Sequence, residues 1–168
     1  MIVLGIDPGP THCGVVLYDT DEGRALDSAK DMPIDSVLVV LRNPRGLFRS
    51  CVAPIDLVTI ERPQFSGQRN ASAELLRTAE VVGRLQQRAL DSGLTVSLLT
   101  RREVCRELHV SGAGKDGQVR TAMIEEHGGS KEVAVGTKKN PGKLYGVTSH
   151  AWQALGLAYV AAQLHSRS

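Results

Sequence analysis

The chain has 168 residues, of which 42% are hydrophobic and 23% are charged, and its net charge is +2. These values are those of an ordinary globular protein, and the length favours one domain over residues 1–168. No apolar run reaches the ~18 residues of a membrane span, and the N-terminus lacks the basic start of a signal peptide. We therefore expect a cytoplasmic protein, or one in the host-cell cytoplasm if the chain is viral.

The cysteines and the charge distribution bear on the redox state of the thiols and on the kind of binding partner. Cys13, Cys51 and Cys105 are odd in number and lack metal-site spacing, which predicts reduced thiols. Acidic residues outnumber basic ones in residues 1–60, and the reverse holds in residues 61–168. This mild asymmetry fits either a nucleic-acid partner or a solvated surface of mixed charge.

The first part of the chain reads as mostly β. A short apolar run is cut off by a turn at Asp7-Pro8-Gly9-Pro10, and two further strands would complete a meander. A segment of helical spacing, interrupted by Pro44, and a β-rich segment ending at Glu61 follow. The five predicted elements cover residues 2–6, 13–18, 24–32, 35–48 and 55–60.

The second part begins with the clearest helix of the sequence, over residues 70–91, where apolar side chains recur at spacings of three and four. A fifth strand, two short helices, a loop rich in Gly and Lys, and a final helix are predicted at residues 94–99, 101–108, 116–127, 128–146 and 149–164. The alternation of strands and helices predicts an α/β fold, and the opening meander predicts a mixed sheet.

Two carboxylates follow apolar strands directly. Asp7 comes after the first strand and Glu61 after the fourth. If these strands are neighbours, the two acids converge, and they ionise together only when a cation lies between them. Mg²⁺ takes oxygen ligands and supports attack of water on a phosphodiester. The alternative is that each acid simply ends a strand and begins a turn.

Several segments resemble, in chain order, the motifs of the RuvC Holliday-junction resolvases. Residues 6–14 (IDPGPTHCG) resemble the family's opening motif, and residues 59–61 resemble its second acidic strand. The basic segment and the final motif are matched by residues 114–119 and 149–158, and the helix at 70–91 resembles the helix of the family's dimer interface.

The resemblance implies an RNase H-like fold, a mixed five-stranded sheet flanked by helices, in a single nuclease domain over residues 1–168. It also implies a homodimer that hydrolyses phosphodiesters of four-way DNA junctions with Mg²⁺, for which Mn²⁺ can substitute. Asp7 and Glu61 match the first two metal ligands, and His150 matches the third. Lys115 matches a catalytic residue that contacts the scissile region.

One position departs from the family pattern. Gln153 stands where the family usually has a fourth acid, three residues after His150 and on the same helix face. Its amide oxygen can contact a metal but brings no negative charge, which predicts lower metal affinity. Alternatively, Gln153 is a polar residue on a helix surface. The chain could also be a junction-binding protein with weak or lost catalysis, or a nuclease for a broader range of branched DNA.

Basic residues near the proposed site predict a surface for the DNA backbone, because flexible basic segments suit phosphates. An ordinary solvated Lys-rich loop is the alternative. Phe65 lies near the position of the aromatic residue that opens the junction centre in the family. The predicted DNA-binding residues are Phe65, Arg62, Arg69, Lys115, Lys138, Lys139 and Lys143.

Overall fold

Five strands form one mixed sheet in the order β3-β2-β1-β4-β5. The computed structural model describes residues 1–43, 54–64, 72–111 and 117–167. β1 pairs antiparallel with β2 and parallel with β4, while β2–β3 is antiparallel and β4–β5 parallel. The carboxyl ends of β1, β4 and β5 therefore meet at one edge. The strands are β1 (Ile2–Pro8), β2 (His12–Asp19), β3 (Arg24–Pro33), β4 (Leu57–Arg62) and β5 (Val96–Thr100).

Helices cover both faces of the sheet. One apolar cluster packs α1 and α2 against Leu4, Ile6 and Ile60, and a second packs α6 against Val3 and Leu57. The central strands are buried on both faces, which explains why they read as nearly continuous apolar runs. The helices are α1 (Ile34–Arg42), α2 (Ala73–Asp91), α3 (Arg101–Glu107), α4 (Gly117–Glu126), α5 (Lys131–Ala134) and α6 (Ala151–Ser166).

The final helix, α6, lies directly on the sheet. Its residues are apolar all round, and it is buried by the strands on one side and by α3 and α4 on others. A Cβ atom at Gly5 of β1 would collide with the backbone carbonyl of Ala154. The absence of a side chain at Gly5 therefore lets the helix approach the strand closely.

The predicted α/β class, the mixed sheet and the order of strands and helices are confirmed. Two details differ. Asp7 and Glu61 do not follow their strands but lie inside β1 and β4, because the ladders continue through their pairings with Gly14 and Leu99. The predicted loop at 128–146 contains α5 and a bridge between Gly136 and Pro141, and buried Ala134 and Leu144 hold this segment against the core. Residues 44–48 and 70–71 of the two predicted helices lie outside the described residues.

None of the helices in the described part of the chain combines the length and apolar character needed to cross a membrane.

Candidate active site

Asp7 and Glu61 lie on the same face of the sheet. β1 and β4 are neighbours, and Gly5 and Thr59, two residues earlier on each strand, are register partners. Side chains alternate along a strand, so Asp7 shares the face of Gly5, and Glu61 that of Thr59. The close approach of Gly5 to Ala154 identifies this as the face covered by α6. The two carboxylates thus stand at one edge, on the side where α6 begins.

The start of α6 brings His150 to Asp7. The Nδ1 atom of His150 lies 3.8 Å from Oδ2 of Asp7, a pair that is ionic only when the imidazole is protonated. His150 is the N-cap residue of α6, but its side chain makes no capping hydrogen bond. The His150 side chain is 62% exposed and that of Asp7 19%. The imidazole is therefore accessible to solvent and substrate while its neighbour is largely enclosed.

The backbone before α6 is shaped to place His150. Ser149 has a φ of 48°, in the left-handed region that L-residues adopt at a cost of about 1–3 kcal/mol. At Gly14, the register partner of Asp7, a Cβ atom would collide with the backbone carbonyl of His150. A turn with a strained residue and a close approach at a glycine together hold His150 beside Asp7.

Gln153 lies one turn further along α6 and is only 6% exposed. Its burial contradicts the alternative that it is a surface residue of the helix. Gln153, Asp7 and His150 line one cleft of about 460 Å³ at the carboxyl edge of the strands. The sequence-predicted residues Asp7, His150 and Gln153 are therefore brought together.

The same cleft contains Arg101, which is not among the predicted site residues. Arg101 directly follows β5 and is half-buried, with its side chain among the residues lining the cleft. The signal that could have found it was its position, since a basic residue after β5 falls at the same edge as acids near the carboxyl ends of β1 and β4. His12 and Glu74 also line this cleft.

Glu61 faces the same edge but is not among the side chains that line the cleft. It is half-buried and pairs with Leu99 of β5. Two residues earlier, the Thr59 hydroxyl is fully buried without a hydrogen-bond partner. The described residues contain no group of three or more His, Cys, Asp or Glu side chains arranged to hold a metal ion. The described oxygen donors that line the cleft include the carboxylates of Asp7, Asp31 and Glu74 and the Gln153 amide, and Glu61 stands at the same edge of the sheet.

The described cysteines are structural. Cys13 and Cys105 are free and buried. Burial raises the pKa of the Cys13 thiol to about 12, and burial also raises the pKa of Cys105. Since the thiolate is the reactive form, neither thiol is suited to nucleophilic chemistry at neutral pH.

The predicted DNA-binding residues are dispersed. Arg62 directly follows Glu61, is exposed and lines a neighbouring cleft. Lys138 and Lys139 lie in a turn closed by backbone hydrogen bonds between Thr137 and Asn140. The carbonyl of Lys143 accepts a hydrogen bond from the amide of Ala25, near the start of β3 and away from the Asp7 edge. The other predicted DNA contacts, Phe65, Arg69 and Lys115, lie outside the described residues.

Comparison with known proteins identifies relatives along nearly the whole chain. The crossover junction endodeoxyribonuclease RuvC of Mycobacterium ulcerans is 31% identical over 173 residues, covering 96% of this chain and 89% of that protein. RuvC of Bifidobacterium longum subsp. infantis is 33% identical over 133 residues, covering 74% of this chain but 64% of its own length. No protein-family model matches the sequence.

Solved structures agree on the fold. The chain superposes with a TM-score of 0.65 on Thermus thermophilus RuvC in complex with a Holliday junction substrate, at 20% identity, covering 100% of this chain and 96% of the other. A second Thermus thermophilus RuvC structure gives a TM-score of 0.61 at 21% identity. By sequence relationship and by fold, the chain belongs to the RuvC family of crossover junction endodeoxyribonucleases.

Proposed function

We propose that residues 1–168 form one nuclease domain that cuts four-way DNA junctions by hydrolysis of phosphodiester bonds. Family membership supports the activity, and the solved relative with a Holliday junction supports branched DNA as the substrate. The observation that carries the proposal is that Asp7, His150 and Gln153 line one cleft at the carboxyl edge of the strands. Asp7 and Glu61 come from neighbouring parallel strands and face the helix whose start bears His150 and Gln153.

The donor chemistry of this edge fits a hard divalent cation, because carboxylate and amide oxygens are the ligands that Mg²⁺ prefers. We assign Asp7, Glu61 and Gln153 as its ligands, with His150 at the side of Asp7. When bound, Mg²⁺ would stabilise the negative charge that builds up on the scissile phosphate, and Mn²⁺ would substitute. With two formal charges from Asp7 and Glu61, the site should bind metal more weakly than a four-acid site.

The protein's own groups have separate tasks in this proposal. The exposed imidazole of His150, whose Nδ1 atom lies 3.8 Å from Asp7, orients the attacking water and accepts its proton. Arg101, which lines the same cleft, stabilises the negative charge that develops on the phosphate. Lys115 remains a predicted catalytic contact to the scissile region.

We further propose a homodimer through α2, because a two-fold assembly matches the two-fold symmetry of a four-way junction. The outer face of α2 supports this. Leu76 and Leu90 are 61% and 50% exposed, and the exposed Gly83 lies midway between them at seven-residue spacing. Apolar side chains at this spacing form one stripe along a helix, which is typical of helix–helix contacts.

The proposed function is tested with a labelled four-way junction in the presence of Mg²⁺ or Mn²⁺. We expect wild type to cleave and Asp7→Asn to lose at least about 100-fold in rate, because the substitution removes one of the two negative charges proposed to hold the cation. Junction binding in EDTA should persist in the variant, since the substitution leaves the DNA-contacting residues in place. Cleavage is followed on denaturing gels and binding by fluorescence anisotropy.

Asp35→Asn is the matched control, since Asp35 is 92% exposed at the start of α1. It should cleave like wild type. Equal cleavage by wild type and Asp7→Asn would contradict the assignment of Asp7. Equal rates on flaps, forks and four-way junctions would instead identify a nuclease of broader specificity.

A second candidate is a junction-binding protein with weak or lost catalysis. The observations that favour it are Gln153 in place of an acid and the lack, among the described side chains, of a group of three or more metal-ligating residues. Tight junction binding by wild type, with no cleavage in Mg²⁺ or Mn²⁺ at any pH between about 6 and 9, would establish this alternative.

A further inference from the structure

A second cleft, of about 530 Å³, lies beside the candidate active site at the ends of β4 and β5. Its lining includes Arg62, Gln64, Arg102, Glu103 and Arg106, and we refer to it as the arginine cleft. All three guanidinium groups belong to exposed residues. An open cleft lined by three arginines is a site for an anion rather than for an apolar ligand.

The positive charge of the arginine cleft is not neutralised by the residues that line it. Its one described carboxylate, Glu103, accepts hydrogen bonds from the backbone amide and the hydroxyl of Thr100, at 2.7 Å and 2.6 Å. These bonds hold the pKa of Glu103 below its usual value, and Arg62 and Arg106 lower it further. The Glu103 carboxylate thus caps α3, and the described lining of the cleft contains three guanidinium groups and this one carboxylate.

Arg106 also forms an ion pair, but the pair is exposed and leaves the guanidinium group available to a ligand. Its Nε atom lies 3.3 Å from Oε1 of Glu107, but the Arg106 side chain remains 70% exposed. The other carboxylate oxygen of Glu107 is engaged by Arg167 at 3.2 Å. Exposed pairs of this kind contribute little energy, so a phosphate can replace Glu107 as the partner of Arg106 at small cost.

The arginine cleft is continuous with the candidate active site along the chain. Arg62 directly follows Glu61, and its register partner in β5 is Thr100. Arg101, the next residue, lines the active-site cleft, while Arg102 lines the arginine cleft. The junction of β5 and α3 therefore presents basic side chains to both clefts.

We propose that the arginine cleft binds backbone phosphates next to the scissile phosphate on the strand being cut. The proposal rests on the proposed function, since it takes DNA as the ligand. Phosphates of one strand recur about every 3.4 Å along a duplex. When one phosphate is held at Asp7, the next phosphates of that strand therefore lie close to the arginine cleft. Guanidinium groups bind phosphate oxygens in bidentate fashion, without regard to base sequence.

The test compares wild type with the double variant Arg102→Ala/Arg106→Ala in binding to a fluorescent four-way junction in EDTA. Affinity is measured at several KCl concentrations. We expect affinity to fall at least tenfold and the slope of log K against log salt to become shallower by about 2, one for each lost phosphate contact. The conservative pair Arg102→Lys/Arg106→Lys should retain most of the slope.

The control Arg24→Ala/Arg42→Ala removes the same charge from the start of β3 and the end of α1, and neither residue lines either cleft. It should leave the salt slope unchanged. An unchanged slope in the Arg102/Arg106 double variant, or an equal change in the control, would overturn the arginine cleft while leaving the proposed function intact. Failure of wild type itself to bind junctions would reject both.

Discussion

Gln153 determines how much negative charge the candidate active site can offer to a cation. It is nearly buried beside Asp7 and His150, so its amide is part of the enclosed side of the cleft. An amide at this position avoids the cost of placing a further buried carboxylate in the same cleft as Asp7 when no cation is present. The same amide binds a cation more weakly than a carboxylate would.

Gln153→Glu changes this balance with almost no change in shape. We expect half-saturation by Mn²⁺ at a roughly tenfold lower concentration, about 1.4 kcal/mol, because a carboxylate replaces a neutral oxygen near the cation. In EDTA the variant should melt at a lower temperature than wild type, since the added charge is buried and close to two others. Thermal unfolding during Mn²⁺ titration measures both effects.

Gln163→Glu, further along α6 and outside the active-site cleft, is the control for the charge itself. It should leave the Mn²⁺ titration unchanged. If Gln153→Glu responded to Mn²⁺ no differently from this control, Gln153 would have no role as a ligand position.

At the scale of single elements, the sequence predicted those strands and helices that local residue patterns determine. The apolar runs predicted β1 and β4, and the acids near their ends predicted the sheet edge at which Asp7 and Glu61 both stand. The pattern could not show that β1 and β4 are neighbours, because pairing of distant strands is a property of the whole sheet. The place of Arg101 in the cleft could not be predicted for the same reason, since it depends on β5 lying beside β4.

Residues 128–146 show the limit of composition as a guide. Their Gly and Lys content predicts a loop, yet the segment contains α5, whose N-cap Ser130 accepts a hydrogen bond from Val133. An isolated helix of four residues is unstable in water. Packing of Ala134 and Leu144 into the core, each 0% exposed, stabilises it here, and the sequence does not reveal that tertiary contact.

The helix α2 carries a prediction about assembly. Leu76→Asp/Leu90→Asp should convert the proposed dimer to a monomer, because a charge in an apolar helix contact is left without a partner. Sedimentation velocity at micromolar concentration measures the change. Both residues are exposed, so the variant should remain folded.

Val133→Asp is the matched control, since Val133 is 62% exposed on α5, away from α2. It should sediment like wild type. A monomeric wild type, or a double variant that remains dimeric, would argue against α2 as the interface.

At the scale of the whole molecule, the candidate active site lies at one end of the sheet. A cluster of aromatic rings that packs helices against the sheet lies at the other end. Tyr18 of β2, His127 after α4 and Tyr159 of α6 pack with their ring centroids 5.7–6.3 Å apart. Tyr18 lies beside Val3 at the start of β1, whereas Asp7 is near its end. The cluster therefore contributes to stability without touching the candidate active site.

His127 is neutral in this cluster. Its Nδ1 atom lies 2.8 Å from the carbonyl of Met123, which only accepts, so Nδ1 must donate. The Nε2 atom, 2.9 Å from the Tyr18 hydroxyl, then accepts a hydrogen bond from it. Burial is the largest cause that lowers the pKa of His127 below its ordinary value of 6.5.

The lowered pKa of His127 predicts how stability depends on pH. Above pH 6.5 the imidazole is neutral in both the folded and the unfolded chain, so its full contribution is present. As the pH falls below this value, the unfolded chain takes up a proton that the folded chain resists, and stability is lost. Asp21 and Glu103, whose pKa values lie below their ordinary 3.8 and 4.5, keep their stabilising contribution throughout this range and lose it only at more acidic pH.

Urea unfolding at pH 7.5, 6.5 and 5.5 isolates this effect. Wild type should lose stability between pH 6.5 and 5.5, whereas His127→Gln, which has no titrating ring, should lose less over the same interval. His165→Gln removes an exposed histidine from the end of α6 and should follow wild type. Parallel curves for wild type and His127→Gln would show that burial of a neutral His127 does not control stability in this range. The same proteins should retain equal junction affinity at pH 7.5, because the cluster and the candidate active site occupy opposite ends of the sheet.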